Sequence, residues 1–315
     1  MNDRSFLQLR IAYAILMVVL LLISMGCGDG GGVVLTDGSV SGYWTERGSG
    51  SSNTLYGVAP SGTQVVAVGA LGTILTSPNG ITWTTRNSGT NYHLRNAIWS
   101  GTMFAAVGDH GTILTSADGT AWTLRSSATT TNLRGITWSG SQFAAVGDGG
   151  AILTSPTGST WTAMTSGTTN NLYGITSDGS QLIAVGAGRT ILTSPDSITW
   201  TPRTGSAGSN LYNVIWSGTQ FLIVSDYNNS TLQTSFDGIT WTPQDPSYGN
   251  PPYAAAWSGS RFVVVGQFGL TQTSPDGITW SGYAVYPYNS DLNGVTWFID
   301  KFIAVGAGGR ILTAP

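Results

Sequence analysis

Short apolar segments repeat along this chain, and turn residues separate them. Within one copy, such segments occupy residues 96–101, 104–108, 113–116 and 121–123, and Ser-Gly, Gly-Asp-x-Gly and Asp-Gly lie between them. Gly and Asp favour the tight turns that join neighbouring antiparallel strands. The pattern therefore predicts four short strands in each copy.

Tryptophan marks the length of the repeat. The marker tryptophans, spaced 39, 39, 39, 39, 41 and 39 residues apart, are Trp44, Trp83, Trp122, Trp161, Trp200, Trp241 and Trp280. A second marker, usually leucine, keeps the same period with small insertions at Leu55, Leu94, Leu133, Leu172, Leu211, Pro252 and Leu292. Four strands in a repeat of about 40 residues are typical of a β-propeller blade.

The two ends of the chain complete each other. The last copy stops at Pro315, where its tryptophan strand should follow, and that strand is present at the other end of the chain, around Trp44. Without it, the ring would keep an unpaired sheet edge between its first and last blades. We therefore predict a single all-β domain over residues 44–315. It is a seven-bladed β-propeller of four-stranded blades, closed by the N-terminal strand.

The composition agrees with this fold and excludes one class of partner. Only 9% of the 315 residues are charged and 44 are glycine, but 41% are hydrophobic, so we expect a packed core. Glu46 and Lys301 are the only residues of their types, and this shortage of helix-forming residues favours strands. The net charge of −3 argues against a nucleic-acid partner.

The N-terminal residues resemble a bacterial lipoprotein signal. Arg4 and Arg10 precede an apolar run over residues 11–23, which is too short to span a bilayer, and Cys27 follows. We predict a signal peptide over residues 1–26, lipidation of Cys27 and a Gly-rich tether over residues 27–43. The propeller would then be exported and held by its lipid anchor at the cell envelope, on the periplasmic or the outer surface.

Two alternatives to lipidation remain, namely plain export with an unmodified thiol and a helix retained in the membrane. The branched apolar residue expected three places before the cysteine is Ser24 in this chain. Because Cys27 is the only cysteine, no intrachain disulfide can form.

The turn between the third and fourth strands has a nearly constant sequence. Residues 77–83 read Ser-Pro-Asn-Gly-Ile-Thr-Trp, and residues 274–280 read Ser-Pro-Asp-Gly-Ile-Thr-Trp. This turn resembles the Asp-box, or bacterial neuraminidase (BNR), repeat, although Gly follows Asp directly. With the recurring Val-Gly-x-x-Gly, it is more similar to the photosystem II stability/assembly factor family and its non-photosynthetic bacterial relatives. The resemblance covers all seven copies and implies a propeller that assists the assembly of a membrane or envelope complex.

The acidic residues of these turns are interpreted as structural. Asp118, Asp196, Asp237 and Asp276 are expected to accept backbone N–H bonds, and they lie on separate blades, too far apart to share an ion.

His93 and His110 have no Cys or Glu nearby in the sequence, so they are poor candidates for a metal site. We predict no metal and no cofactor.

Differences between the copies indicate the functional face. In a propeller, the loops that enter the innermost strands and the turns between the second and third strands share one face. The residues after the leucine marker, at the mouth of the central channel, are Tyr56, Arg95, Arg134, Tyr173, Tyr212, Tyr253 and Asn293. The second-to-third-strand turns add Asp109, His110, Asp148, Arg189, Asp226, Tyr227, Gln267 and Phe268.

Tyr and Arg dominate binding hot spots. We predict a binding site formed by Tyr56, Arg95, Arg134, Tyr173, Arg189, Tyr212 and Tyr253. Arg95 and Arg134, on adjacent blades, are the residues expected to engage a carboxylate or an acidic loop. The alternative is that the ring residues only pack against their neighbours and fill the channel.

Two classes of function follow from the sequence. The preferred one is a protein-binding or assembly scaffold, and the alternative is a glycan-binding protein or a sialidase-like glycoside hydrolase. Sialidase chemistry needs an arginine cluster, a tyrosine activated by a glutamate and an acid/base aspartate, but Glu46 lies on an outermost strand far from the channel. Other glycosidases need paired carboxylates ~5–10 Å apart. No catalytic residue is predicted, and the sequence disfavours an enzyme.

Overall fold

The protein is a seven-bladed all-β propeller, so the predicted fold class is confirmed. The computed structural model describes residues 44–206, 209–226, 232–244, 250–282 and 290–315. The antiparallel strands of blades 1 to 6 pair in chain order, and the first strands of neighbouring blades pack side by side around the centre. No helix of the described residues is long and apolar enough to cross a membrane. The predicted signal peptide, tether and Cys27 lie outside the described residues.

The strand bounds repeat closely from blade to blade. The chain begins with β1 (Thr45–Arg47), which belongs to the last blade. Blade 1 contains β2 (Leu55–Pro60), β3 (Val65–Gly69), β4 (Ile74–Ser77) and β5 (Thr84–Arg86). Blade 2 contains β6 (Leu94–Trp99), β7 (Phe104–Gly108), β8 (Ile113–Ser116) and β9 (Thr123–Arg125). Blade 3 contains β10 (Leu133–Trp138), β11 (Phe143–Gly147), β12 (Ile152–Ser155) and β13 (Thr162–Met164). Blade 4 contains β14 (Leu172–Ser177), β15 (Leu182–Gly186), β16 (Thr190–Ser194) and β17 (Thr201–Thr204).

The remaining blades follow the same order. Blade 5 contains β18 (Leu211–Trp216), β19 (Phe221–Ser225), β20 (Leu232–Ser235) and β21 (Thr242–Gln244). Blade 6 contains β22 (Pro252–Trp257), β23 (Phe262–Gly266) and β24 (Thr271–Ser274), and a bridge from Thr273 to Ser281 takes the fourth position. Blade 7 contains β25 (Leu292–Phe298), β26 (Lys301–Gly306), β27 (Ile311–Ala314) and, outermost, β1.

Short 3-10 turns join the second and third strands on the face where the innermost strands begin. We call them connection turns, and those described are Ala70–Gly72, Asp109–Gly111, Asp148–Gly150, Ala187–Arg189, Gln267–Gly269 and Ala307–Gly309. In blade 2, for example, the Asp109 N–H donates to the His93 carbonyl, directly before β6, at 2.9 Å. The predicted common face is therefore present.

The N-terminal strand closes the ring, as predicted. β1 pairs antiparallel with β27, with Thr45 opposite Thr313 and Arg47 opposite Ile311. The Arg47 Nε donates to Thr313 Oγ1 at 2.9 Å, and Trp44 packs against the apolar cluster between blades 6 and 7. The two ends of the chain thus hold one sheet together.

The core lies between neighbouring blades. Val66 of blade 1 packs with Phe104 and Leu114 of blade 2, and Trp122 covers the outer edge of this cluster. Phe104 and Leu114 are fully buried, and burial of such a side chain contributes roughly 1.5–3 kcal/mol. Equivalent clusters recur around the ring, so packing between the blades stabilises the fold.

Two strand bounds differ from the prediction. β7 and β8 have the predicted bounds, but β6 covers Leu94–Trp99 instead of 96–101, because Ser100 already belongs to the turn, where its N–H donates to the Met103 carbonyl at 3.0 Å. β9 begins after Trp122 because the indole Nε1 of Trp122 donates to the Gly119 carbonyl at 2.8 Å. The marker tryptophan therefore belongs to the turn before the fourth strand.

The aspartates of the third-to-fourth-strand turns hold their own backbone. Asp237 Oδ1 accepts the N–H groups of Ile239 and Thr240 at 2.8 and 2.7 Å. The Thr240 and Ile239 bonds lower the pKa of Asp237 to about 2, and a bond from Thr120 lowers the pKa of Asp118 even further. This geometry fits the structural role expected of these residues.

Candidate functional site

The residue after each leucine marker is the extra residue of a β-bulge. In all seven blades the pairing of the innermost and second strands shifts at this point, for example between Leu133 and Gly135. A bulge interrupts the regular alternation of the strand and redirects its extra side chain. The seven bulged residues form what we call the channel-mouth ring, namely Tyr56, Arg95, Arg134, Tyr173, Tyr212, Tyr253 and Asn293. Each of them is half-buried.

The two arginines of the ring are paired within their own blades. Arg95 donates through Nε and Nη2 to the two carboxylate oxygens of Asp109, at 2.8 and 2.7 Å. Arg134 does the same with Asp148, at 2.6 and 2.9 Å. Asn132 Nδ2 also donates to Asp148, at 3.0 Å. Such two-point bonds between ions are among the strongest polar contacts and fix the orientation of the guanidinium. Both arginines, expected to engage a partner's carboxylate, thus already hold one from their own chain.

These pairs set the protonation of their aspartates. Burial alone would raise the pKa of Asp109, but the hydrogen bond and charge of Arg95 outweigh it and lower that pKa. The pKa of Asp148 is likewise lowered, because Arg134 and Asn132 outweigh the effect of burial. The bond to Asp109 raises the pKa of Arg95. Both pairs therefore remain ionised at neutral pH, and each is neutral overall.

Four of the other five ring residues are tyrosines. The Tyr173 and Tyr212 rings lie 6.0 Å apart between centroids, and Tyr212 meets Tyr253 edge to face at 5.9 Å. The guanidinium carbon of Arg95 lies 4.7 Å from the centre of the Tyr56 ring, and that of Arg134 lies 6.0 Å from Tyr173. Such contacts of a cation with a ring are stabilising. Six of the predicted site residues thus make contacts in two groups, Tyr56 with Arg95, and Arg134 with Tyr173, Tyr212 and Tyr253.

Two tyrosines of the ring are less acidic than usual. Burial raises the pKa of Tyr212, and the charge of Asp226 adds to it. Burial also raises the pKa of Tyr253, with a contribution from Asp291. Both phenols are therefore neutral hydrogen-bonding groups at neutral pH.

The other predicted residues lie on the same face, outside the tyrosine and arginine contacts. Arg189 is exposed at the end of its connection turn, and its N–H donates to the Ser209 carbonyl at 2.9 Å. Asp226 accepts the Ser209 N–H at 2.6 Å and thereby holds the loop before β18. Asn293 Nδ2 donates to the Leu55 carbonyl at 2.9 Å and links blade 7 to blade 1. Tyr227 lies outside the described residues.

The two histidines have separate surroundings. His93 Nδ1 accepts the Leu71 N–H at 3.0 Å, and the His110 ring stacks on Tyr92 with 4.5 Å between centroids. In the described part of the chain, no three His, Cys, Asp or Glu side chains gather as a metal site would require.

Sequence reasoning missed a repeated contact between blades. The residue before the leucine marker accepts the N–H of the middle residue in the connection turn of the preceding blade. His93 does this for Leu71, Asn132 for His110, Asn171 for Gly149 and Asp291 for Phe268. The signal was present as a polar residue at this position in most copies, but its partner lies 22 or 23 residues away. These contacts fix the connection turns that carry Asp109 and Asp148.

The fold and the ring define a seven-bladed propeller with one chemically distinct face. Solved structures share this fold. One described as YCF48 bound to D1 peptide has a TM-score of 0.72 at 18% identity, over 89% of this chain and 99% of that chain. YCF48 from Cyanidioschyzon merolae has a TM-score of 0.70 at 20% identity, over 86% and 98%. A streptogramin B lyase has a TM-score of 0.78 at 13% identity, over 87% and 97%. At these identities the likeness shows the fold. No family profile and no curated protein matches the chain.

Proposed function

We propose that this chain is a protein-binding or assembly scaffold that holds its partner on the channel-mouth ring. The observation that carries the proposal is the ring itself. It places four tyrosines and two arginines, the residue types that dominate hot spots, at bulged and half-buried positions of one face. The positions are structurally equivalent, but their side chains differ from blade to blade. A purely structural repeat does not need such variation.

A structural neighbour supports the choice of a protein partner. YCF48 has been solved with a bound D1 peptide, so this fold can hold a peptide. The sequence resemblance to the photosystem II stability/assembly factor family points in the same direction. This chain would act in the assembly of an envelope complex.

The ion pairs refine the chemistry of the proposed partner. Arg95 uses Nε and Nη2 for Asp109, so an acidic loop must compete with a carboxylate that is already bound. Tyr173, Tyr212 and Tyr253 offer ring faces and hydroxyl groups. The ring therefore suits a peptide segment with aromatic or aliphatic side chains and backbone carbonyls. That the arginines bind an acidic loop stays a prediction.

The test compares binding to variants of the ring. Partners are captured by chemical crosslinking in cells that make the full chain, the double variant Arg95→Ala/Asp109→Ala or Tyr212→Ala. Removing both members of the pair avoids leaving a half-buried carboxylate without its partner. The control Arg203→Ala removes an arginine of outer strand β17, whose Nε bonds Thr193. We expect both ring variants, but not the control, to lose the same crosslinked protein. An identical set of crosslinks from all four proteins would contradict the proposal.

We also propose that the scaffold is exported and anchored by a lipid on Cys27. The support is the short apolar run, the position of the only cysteine and the Gly-rich stretch after it. We expect a clickable palmitate analogue to label the full chain in bacterial cells, and Cys27→Ser to remove the label and release the chain from the membrane fraction. Labelling that persists in Cys27→Ser would contradict the anchor.

A sialidase-like activity is the alternative and has less support. Glu46 lies on β1, the outer strand of blade 7, where its Oε1 accepts a bond from Arg310 at 3.2 Å. Asp109 and Asp148 are held ionised by arginines, which disfavours them as general acids. Hydrolysis of a fluorogenic sialoside by the pure protein would overturn the scaffold proposal.

A further inference from the structure

A separate cleft opens on blade 2, outside the channel-mouth ring. It has a volume of about 650 Å³ and lies between the loop before β6, the connection turn of blade 2, and β9 with the loop after it. We call it the blade 2 cleft. Its main side chains are Thr90, Tyr92, His110, Leu124, Arg125 and Thr129.

Two of these side chains, Tyr92 and Leu124, are larger or more apolar than the residues at the same positions of other blades. At the position of Tyr92, blades 1 and 4 carry Asn53 and Asn170, whose amides each bond the threonine after the connection turn of their own blade at 2.9 Å. Leu124 stands where other outer strands carry Glu46, Thr85, Ala163, Pro202 and Pro243. Tyr92 is 50% exposed and Leu124 is 61% exposed, so neither side chain is part of the hydrophobic core.

Two further positions of the cleft hold a left-handed backbone without glycine. Ala128 has φ 56° where neighbouring loops carry Gly50, Gly89 and Gly167, and His110 has φ 53°, similar to Leu71 and Phe268 at the same position of blades 1 and 6. Side chains other than glycine are disfavoured in this conformation, and such residues cluster at functional sites. The imidazole of His110 stacks on Tyr92 at 4.5 Å with 35° between the planes. Three departures from the repeat, at Tyr92, Leu124 and Ala128, thus meet in one cleft.

The polar groups of the cleft favour an anion with hydroxyl groups. Thr90 Oγ1 accepts the Tyr92 N–H and Thr129 Oγ1 accepts the Thr131 N–H, both at 3.1 Å, so each hydroxyl keeps its own hydrogen to donate. Arg125 Nε donates to Thr115 at 2.8 Å, which holds the guanidinium in place. In the described part of the chain, the lining includes Arg125 and His110 but no acidic residue.

We propose that the blade 2 cleft binds an acidic saccharide of the uronate type. Its apolar ring face would lie on the platform of Tyr92 and His110, its hydroxyl groups would bond Thr90 and Thr129, and its carboxylate would bond the terminal nitrogens of Arg125. A saccharide is favoured over a peptide because hydroxyl groups outnumber aliphatic side chains in the lining. The site is independent of the channel-mouth ring.

The test uses calorimetric titration of the purified full chain in detergent with trigalacturonate and, as a neutral probe, maltotriose. The variants carry residues of other blades, so each is compatible with the fold. Tyr92→Asn follows blades 1 and 4, and Arg125→Met follows Met164 of blade 3. The control Leu71→Gly changes the connection turn of blade 1, outside the cleft.

The wild type is expected to bind trigalacturonate about tenfold or more tightly than maltotriose. Tyr92→Asn should weaken binding of trigalacturonate about tenfold, Arg125→Met should remove the preference for the acidic probe, and Leu71→Gly should change neither. The proposal is overturned if trigalacturonate does not bind or if Tyr92→Asn binds it as the wild type does.

His110→Gly separates binding from structure. It removes half of the platform and relieves the left-handed backbone, so affinity for trigalacturonate should fall while the melting temperature is not lowered. A lower melting temperature with unchanged affinity would assign the stacked rings a structural role and overturn the proposal.

Discussion

At the residue scale, the channel-mouth ring depends on ion pairs between arginine and aspartate that are visible only in the folded chain. Arg95 and Asp109 can be placed on one face from the repeat, because both occupy loops of that face. Their two-point bond cannot be predicted, since it depends on the bulge that redirects Arg95 and on the turn that Asn132 holds through the His110 N–H. The sequence therefore identifies Arg95 and Asp109 as residues of the functional face, but it does not predict that they neutralise each other.

The same pairs make stability depend on pH. The pKa values of Asp109 and Asp148 are lowered in the folded protein, so their stabilising effect is present above the ordinary aspartate value of about 3.9 and is lost as pH falls below it. In the double variant Asp109→Asn/Asp148→Asn, we expect the free energy of unfolding to fall less steeply between pH 5 and 3, in about the range where these groups titrate.

Urea unfolding at several pH values measures this slope. Ser141→Ala, an exposed change without a titratable group, is the control and should keep the slope of the wild type. If the double variant loses stability with acid as steeply as the wild type does, whatever its stability at neutral pH, the two pairs do not cause the pH dependence.

At the scale of the strands, the apolar pattern locates the middle of each blade better than its edges. β7 and β8 were predictable to the residue because apolar residues begin both strands and turn residues follow each strand directly. β9 was misplaced because the marker Trp122 is apolar and yet belongs to the turn, where its indole bonds the Gly119 carbonyl. Pattern alone cannot distinguish a tryptophan that packs from a strand from one that packs from a turn.

The second strand ends in glycine in every blade except blade 5, which has Ser225, and this glycine allows a close approach of two backbones. A Cβ at Gly108 would lie 2.0 Å from the His93 carbonyl oxygen, and neither backbone can move without disturbing β6. We expect Gly108→Ala to lower the free energy of unfolding by about 3 kcal/mol, the upper end for overpacking. Gly62→Ala is the control, because a Cβ there meets nothing within 4 Å. Equal stability of the two variants in urea unfolding would refute this account.

At the scale of the whole molecule, the repeat count alone predicts the architecture, and the chain ends predict its closure. Seven equal copies with a missing last strand and an extra first one leave a single arrangement that pairs every blade. The copies share their core residues, so the sequence identifies the scaffold. The blade 2 cleft was missed because its residues lie in three separate segments, which meet only when the strands of blade 2 pair.

Closure by β1 gives the last prediction. Deleting residues 40–47 removes the pairing with β27, the Arg47 bond to Thr313 and the packing of Trp44. Loss of a tryptophan from such a cluster alone costs about 3–5 kcal/mol, which for a domain of this size lowers the melting temperature by roughly 10 °C. Deleting residues 28–35, within the predicted tether, removes the same number of residues and should leave the melting temperature unchanged. If both deletions melt like the wild type, β1 does not stabilise the ring. If both lower the melting temperature equally, the effect belongs to the N-terminal segment as a whole and not to strand closure.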